Sequence, residues 1–228
     1  MSIAENLRSV EDRIAAAARR AGREPSSVRL VTVTKTVDRD RIRQAITAGA
    51  AILGENRVQE AKEKIEAFGK AANWHLIGHL QTNKAKYAVK LFDLIHSVDN
   101  RELAKELDRQ AGKIGKVQDV LIEVSIAGEA AKAGVGIGDT VQLVKEAAGL
   151  KHIRVLGLMT MPPFSDDPER ARPYFRKLRD LADAVRKEAI AGVSMNELSM
   201  GMSGDFEVAI EEGATLVRVG TAIFGERS

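Results

Sequence analysis

The 228-residue sequence contains no cysteine. Disulfides, thiolate zinc sites and a cysteine nucleophile are therefore excluded. Aromatic residues make up only 4%, with a single tryptophan, so the core must rest on Val, Ile, Leu and Ala. No uninterrupted apolar run approaches the roughly 18–20 residues of a membrane span. No long block of like charge occurs, and the few aromatics are not interleaved with Lys and Arg. Lys+Arg is 35 against Asp+Glu 32, so a sequence pI of 9.1 reflects a small surplus of +3. A nucleic-acid platform is not indicated. The N-terminus lacks a secretory h-region. Instead Ser2 and Glu5 form a capping-box pattern ahead of Leu7, Val10, Ile14 and Ala17 at helical spacing. A cytoplasmic protein is expected. No Ser/Gly/Pro-rich linker divides the chain, so residues 1–228 are read as one domain.

What is present is alternation. Short β-branched runs are followed by amphipathic stretches of helical period. The expected strands are Val28–Lys35, Ala51–Gly54, Trp74–Gly78, Leu91–Ser97, Asp119–Ile126, Val155–Met159, Glu197–Met200 and Leu216–Gly220. Helices are expected near 39–48, 57–69, 83–89, 100–113, 139–149, 168–190 and 205–212. Eight strands with intervening helices imply an α/β fold, a single (β/α)8 TIM barrel carrying an extra N-terminal helix. An open dinucleotide-binding sheet is the alternative, but no G-x-G-x-x-G follows the first strand. Gly134-Val-Gly-Ile-Gly138 is read as a flexible turn.

In such a barrel chemistry gathers at the C-terminal strand ends, and phosphate is often held after the last two strands. Val31, Val33 and Lys35 share one face by the period of two. If the valines point inward, Lys35 stands at the barrel mouth as an amine nucleophile for an aldehyde. Ser203-Gly204-Asp205 reads as a helix start that favours an anion. Gly220 allows close backbone approach, and Thr221 offers a hydroxyl and an N–H. Arg218 alternates with Leu216 and Gly220, so it can point inward. A guanidinium facing a pyridine nitrogen donates to it and keeps it unprotonated. An amine plus a phosphate cradle at one rim is what a phosphorylated aldehyde requires.

Four segments carry a resemblance: Gly54-Glu-Asn-Arg-Val-Gln-Glu60, Trp74-His-Leu-Ile-Gly-His-Leu-Gln81, Leu198-Ser-Met-Gly-Met-Ser203 and Val217-Arg-Val-Gly-Thr-Ala-Ile-Phe-Gly225. Together they resemble the signatures of the pyridoxal phosphate homeostasis proteins, the YggS family, from the first helix to residue 225. The resemblance implies a fold type III barrel of the alanine-racemase type without that enzyme's second domain. It implies pyridoxal 5′-phosphate (PLP) as cofactor, held as a Schiff base on Lys35. Ser203, Gly220 and Thr221 would hold the phosphate, and Arg218 would face the ring nitrogen. Asn56, His79, Ser97, Met159, Ser199 and Met200 would line the pocket. The sequence departs from the family at Ile126-Ala-Gly-Glu-Ala-Ala-Lys132-Ala-Gly134, which keeps a Lys-x-Gly but lacks the usual Asn.

The remaining candidates are bland. His75 and His79 lie on a strand and its end, so they are not read as a metal pair. Of His96 and Ser97, one is expected to point inward. Glu55 and Glu60 are read as helix-start charges, and Met161–Pro168 as a surface turn, with a lid as the alternative. Three functions compete. The first is a PLP carrier that passes cofactor to apo-enzymes, as a monomer or weak dimer without robust turnover. The second is a PLP-dependent amino-acid racemase with His79 as the second base. The third is a phosphosugar barrel with Lys35 as an aldolase-type amine. The chain ends at Ser228 soon after the last strand, and its only tyrosines, Tyr87 and Tyr174, fall on expected outer helices. Both observations favour the carrier.

Overall fold

The computed structural model describes residues 2–127 and 133–225. Its strands are β1 (Arg29–Val33), β2 (Ile52–Glu55), β3 (Asn73–Leu76), β4 (Leu94–Val98), β5 (Gln118–Ser125), β6 (Val135–Gly136), β7 (Ile153–Met159), β8 (Glu197–Ser199) and β9 (Leu216–Val219). The helices are α1 (Ile3–Arg20), α2 (Arg39–Thr47), α3 (Val58–Phe68), α4 (Ala85–Leu91), α5 (Arg101–Lys113), α6 (Ile137–Ala148), α7 (Arg172–Lys187), α8 (Phe206–Glu211) and α9 (Thr221–Phe224). Every strand pairing is parallel, in the order β4-β3-β2-β1-β9-β8-β7-β5, and β4 pairs with β5 to close the ring. The result is an eight-stranded (β/α)8 barrel, with α1 as the extra N-terminal helix.

Alternation along each strand sorts the core into two parts. Val31, Val33, Ile52, Ile77, Leu94, Leu121, Met159 and Leu216 form a small cluster inside the barrel. A larger cluster joins the outward strand faces to the helices, and includes Leu53, Trp74, Leu76, Phe175, Met200, Phe206, Val217 and Val219. The first helix begins with the expected capping box: Glu5 N donates to Ser2 Oγ at 3.2 Å, and Ser2 N donates to Glu5 Oε2 at 2.7 Å. Its buried face, from Ile3 to Ala18, packs beside α8 and α9, and Arg13–Glu207 and Arg20–Glu211 ion pairs flank it.

Two expectations change. The Gly134–Gly138 stretch is not merely a turn: Val135 pairs with Val124 as β6 extends the edge of β5, and α6 starts at Ile137. The first strand ends at Val33 rather than Lys35, so Lys35 lies in the turn beyond it. Residues 128–132, including Lys132 of the Lys-x-Gly, fall outside the described residues. Among the described residues, no helix is long and apolar enough to cross a membrane.

The β5–β7 register slips between Val120 and Leu121, opposite Val155 and Gly157. At Gly157 a Cβ would lie 1.8 Å from the backbone oxygen of Glu197, so β7 and β8 approach as only glycine permits. Gly157→Ala is expected to cost about 3 kcal/mol, the upper end of the usual overpacking range, by forcing the strands apart. The urea midpoint of the purified variant checks this; a midpoint equal to that of the parent protein would contradict it.

Candidate functional site

Because all barrel strands run parallel in a closed ring, their C-terminal ends share one rim. A cavity of about 420 Å³ opens there, and Lys35, Asn56, His79, Ser203, Arg218, Gly220 and Thr221 all line it. Each comes from just beyond a strand or from its end: β1 supplies Lys35, β2 Asn56, β3 His79, β8 Ser203, and β9 Arg218 with Gly220 and Thr221. Gly78 brings two of these segments together. A Cβ there would lie 2.5 Å from the Asn56 carbonyl oxygen, so any larger residue would push the loop after β3 away from the loop after β2.

Lys35 is half-buried and follows Val31 and Val33, both in the inner cluster. The next residue, Thr36, adopts φ +61. A threonine in the left-handed region costs roughly 1–3 kcal/mol and persists only when its surroundings enforce it. The enforcing groups are visible. Thr36 N donates to Glu60 Oε1 at 2.5 Å, Lys64 Nζ donates to the Thr34 carbonyl at 2.6 Å, and Thr34 Oγ1 donates to Glu55 Oε1 at 2.6 Å. Lys64 also reaches Glu55 and Glu60, at 2.8 and 2.6 Å. Glu55 is fully buried at the end of β2, so it is not the helix-start charge that its position beside α3 suggests. Burial pushes its carboxyl up, against the hydrogen bonds from Lys64 and Thr34. Glu60 is also pushed up by burial, but Lys64 and the Thr36 N–H outweigh that and hold it below its ordinary value.

Arg218 is buried on β9, the strand next to β1, level with Val31. It donates to Ser199 Oγ at 2.6 Å and to the Thr160 carbonyl at 3.0 Å. Burial pushes its pKa down to about 10, opposed by Glu123 and Asp205, so the guanidinium stays charged at neutral pH. Ser199 Oγ lies 2.9 Å from His96 Nδ1, and His96 Nε2 lies 3.0 Å from His75 Nδ1. β4 and β8 are not neighbours in the ring, so the His96–Ser199 contact crosses the lumen. A hydrogen-bonded chain therefore runs from Arg218 through Ser199 and His96 to His75. With both imidazoles neutral, each can donate from one nitrogen and accept at the other.

The donors expected to hold an anion converge on Ser203. Its Oγ accepts from Gly220 N at 3.3 Å and from Ala222 N at 3.4 Å. Gly220 and Ala222 thus present backbone N–H groups towards one point. Asp205 does not cap α8. Its carboxylate turns back and accepts from Met202 N at 2.6 Å, which fixes the loop carrying Ser203. α8 has six residues and α9 four, so the cradle relies on directed N–H groups more than on a helix dipole.

Four expected pocket residues do not line this cavity. Met159 lies in the barrel's inner cluster and Ser199 beneath Arg218. Met200 packs in the outer core, because alternation along β8 turns it away when Ser199 faces inward. Ser97 is fully buried and its hydroxyl has no hydrogen-bond partner. His96 is the residue that points into the lumen, at an irregularity between Ile95 and Val98. His79 is 55% exposed on the rim, with Nδ1 3.7 Å from Asp99 Oδ2. Met161, Pro163, Phe164 and Ser165 border the cavity, so the loop read as a surface turn belongs to the site. Sequence reasoning also missed Glu123, a buried carboxyl on β5. Its acid within an apolar strand run, Val120 to Val124, was the available signal.

A family model described as "Alanine racemase, N-terminal domain" matches residues 6–228. The chain is 49% identical to a pyridoxal phosphate homeostasis protein of Aquifex aeolicus, covering 100% of this chain and 99% of that one. It is 38% identical to a protein of the same name from Escherichia coli K12, covering 99% and 97%. The solved structure of PipY from Synechococcus elongatus with PLP bound superposes with a TM-score of 0.86 at 37% identity, covering 98% and 100%.

The buried titratable groups make stability depend on pH. Burial holds His75 down to about 3, and burial together with His75 and Arg218 holds His96 well below its ordinary value. In the unfolded chain both protonate near 6.5. Below that pH each histidine binds a proton only on unfolding, so both destabilise the fold on acidification. Glu123 acts oppositely. Burial, then Asp99, pushes it up to about 7 from 4.5, so its contribution is present at low pH and lost as pH rises through 7. Two histidines against one carboxyl leave a net loss of stability on acidification from pH 6.5 to about 5. Urea midpoints across that interval check the slope, and Glu123→Gln is expected to steepen it. A flat profile in both proteins would contradict the assignment.

Proposed function

The chain belongs to the family of pyridoxal phosphate homeostasis proteins, and from that premise we propose that it binds PLP through a Schiff base on Lys35 and serves as a carrier. In this reading it is a one-domain cytoplasmic protein that stores the reactive aldehyde and yields it to apo-forms of PLP enzymes. The observation that supports this best is the single cavity that brings Lys35, Arg218 and the Ser203–Gly220–Thr221 donors together. At about 420 Å³ it lies within the usual range for small-ligand sites.

The residues present fit the group. Lys35 would supply the amine for a C=N bond to the cofactor's aldehyde carbon, with one water released. Ser203, Gly220 and Thr221 supply hydrogen-bond donors for a phosphate. Arg218, aimed by Ser199 and Thr160, can donate to the ring nitrogen and cannot accept from it. The nitrogen then stays unprotonated, which limits the ring as an electron sink. When bound, the cofactor supplies an electrophilic aldehyde, and the chain's own groups supply its anchorage.

One observation favours amino-acid racemisation as a second reading. His79 lines the cavity near Asp99 and offers a second base besides Lys35. Racemisation needs a base on each face of the reacting carbon. Neither Tyr87, exposed on α4, nor Tyr174, packed on α7, lines the cavity. Sustained turnover of a single-enantiomer amino acid at roughly 1–10 per second would favour the enzyme over the carrier.

Borohydride reduction of the PLP-loaded protein is expected to fix the cofactor on Lys35, read by peptide mass mapping, and Lys35→Ala is expected to abolish that adduct. Label recovered on another lysine would refute the assignment. Ser203→Ala combined with Thr221→Ala is expected to weaken PLP binding by at least about 100-fold, since hydrogen bonds to a charged group contribute about 1.5–3 kcal/mol each. Unphosphorylated pyridoxal is expected to bind almost unchanged. Equal losses for both ligands would place the phosphate elsewhere.

A further inference from the structure

Lys64 lies on α3, outside the cavity, and its side chain is only 7% exposed. Its ammonium carries three N–H groups, and three acceptors surround it: the Thr34 carbonyl at 2.6 Å, Glu55 Oε1 at 2.8 Å and Glu60 Oε1 at 2.6 Å. Two of these groups hold the chain on either side of Lys35. The Thr34 carbonyl belongs to the peptide that joins Thr34 to Lys35. Glu60 Oε1 also accepts the Thr36 N–H, from the peptide that joins Lys35 to Thr36. Glu55 adds a third hold by accepting from the Thr34 hydroxyl. Both peptide bonds of Lys35 are thus tied, through one buried ammonium, to the end of β2 and the first turns of α3. The left-handed Thr36 is held by the same network.

We propose that Lys64 is the positioning residue for Lys35, fixing the Thr34–Thr36 backbone so that the Lys35 amine is aimed at the ligand aldehyde. The inference rests on the Lys35 reading above. It assigns Lys64 no contact with the ligand and no proton transfer. The bond made is the C=N between Lys35 and the aldehyde carbon, with one water released. Lys64 acts only by holding the attacking nitrogen in place. Covalent capture is steeply sensitive to such placement, because an error of about 1 Å can cost on the order of 100-fold in rate. A purely structural ion pair would instead affect covalent and non-covalent ligands alike.

The test compares two ligands on the full chain. PLP can form the imine. Pyridoxine 5′-phosphate lacks the aldehyde and reports only the phosphate and ring contacts. Lys64→Met alone strands the buried Glu55 charge, so it is paired with Glu55→Gln, since removing both partners of a buried pair is often tolerated. Glu60→Gln is a milder, independent variant that weakens the hold on Thr36. The K64M/E55Q protein is expected to form the imine at least about tenfold more slowly. Its affinity for pyridoxine 5′-phosphate should stay within about twofold of the parent protein. E60Q should shift in the same direction by a smaller factor, and it decides alone if the double variant does not fold. Unchanged imine formation in the folded variants, or equal losses for both ligands, would overturn the proposal. A borohydride-fixed adduct that survives Lys35→Ala would instead overturn the Lys35 reading, so the two failures are distinguishable.

Discussion

Ring closure between β4 and β5 is the constraint on which the rest of the structure depends. A parallel strand can only be followed by a crossover, so each strand begins at one end of the ring and finishes at the other. Closure then turns a row of strand ends into a circular rim. Lys35 and Arg218, 183 positions apart in sequence and on neighbouring strands β1 and β9, meet at one mouth because of it. The outward faces of the strands are covered by helices rich in Ala and Leu, which explains how a chain with so few aromatics still packs a continuous core.

The lumen is occupied by two kinds of contact. A small apolar cluster of Val, Ile, Leu and Met fills part of it. Beside it runs the chain of His75, His96, Ser199 and Arg218, in which each polar group has a partner. Burying such groups without partners would cost several kcal/mol. Linked together, they fix the orientation of Arg218 from across the lumen. The same burial keeps the imidazoles neutral and pushes Glu123 up to about 7. Rigidity at the arginine and sensitivity to acid therefore share one cause.

Arg218 and Lys35 are held differently. Arg218 is aimed by the Thr160 carbonyl and by Ser199 of the adjacent β8, which is itself bonded across the lumen to His96 of β4. The turn carrying Lys35 is held from outside the ring, by Lys64 and Glu60 on α3 and by Glu55 at the end of β2. The loop bearing Ser203 is held by its own Asp205, which bonds back to Met202. Each of these cavity-lining groups thus depends on a supporting contact, as a preorganised site requires.

Sequence by itself determined the alternation of strands and helices, the barrel and the shared face of Val31 and Val33, because these follow from local periodicity; that this face points inward was decided by the tertiary structure. It also marked Lys35, Ser203, Arg218, Gly220 and Thr221, because an amine and two anion-binding patterns fall together at one rim although each alone has an ordinary local role. Other features depended on contacts between distant segments. Alternation along β8 could not be phased without its neighbours, so Met200 looked like a pocket residue although it faces the helices. The choice between His96 and Ser97 required the irregularity in β4. Glu55 and Glu60 looked like charges at a helix start, because only tertiary packing brings Lys64 between them and against Thr34. A hydrophobic period records which face of an element is buried; which group a buried polar atom bonds is decided only when the ring closes.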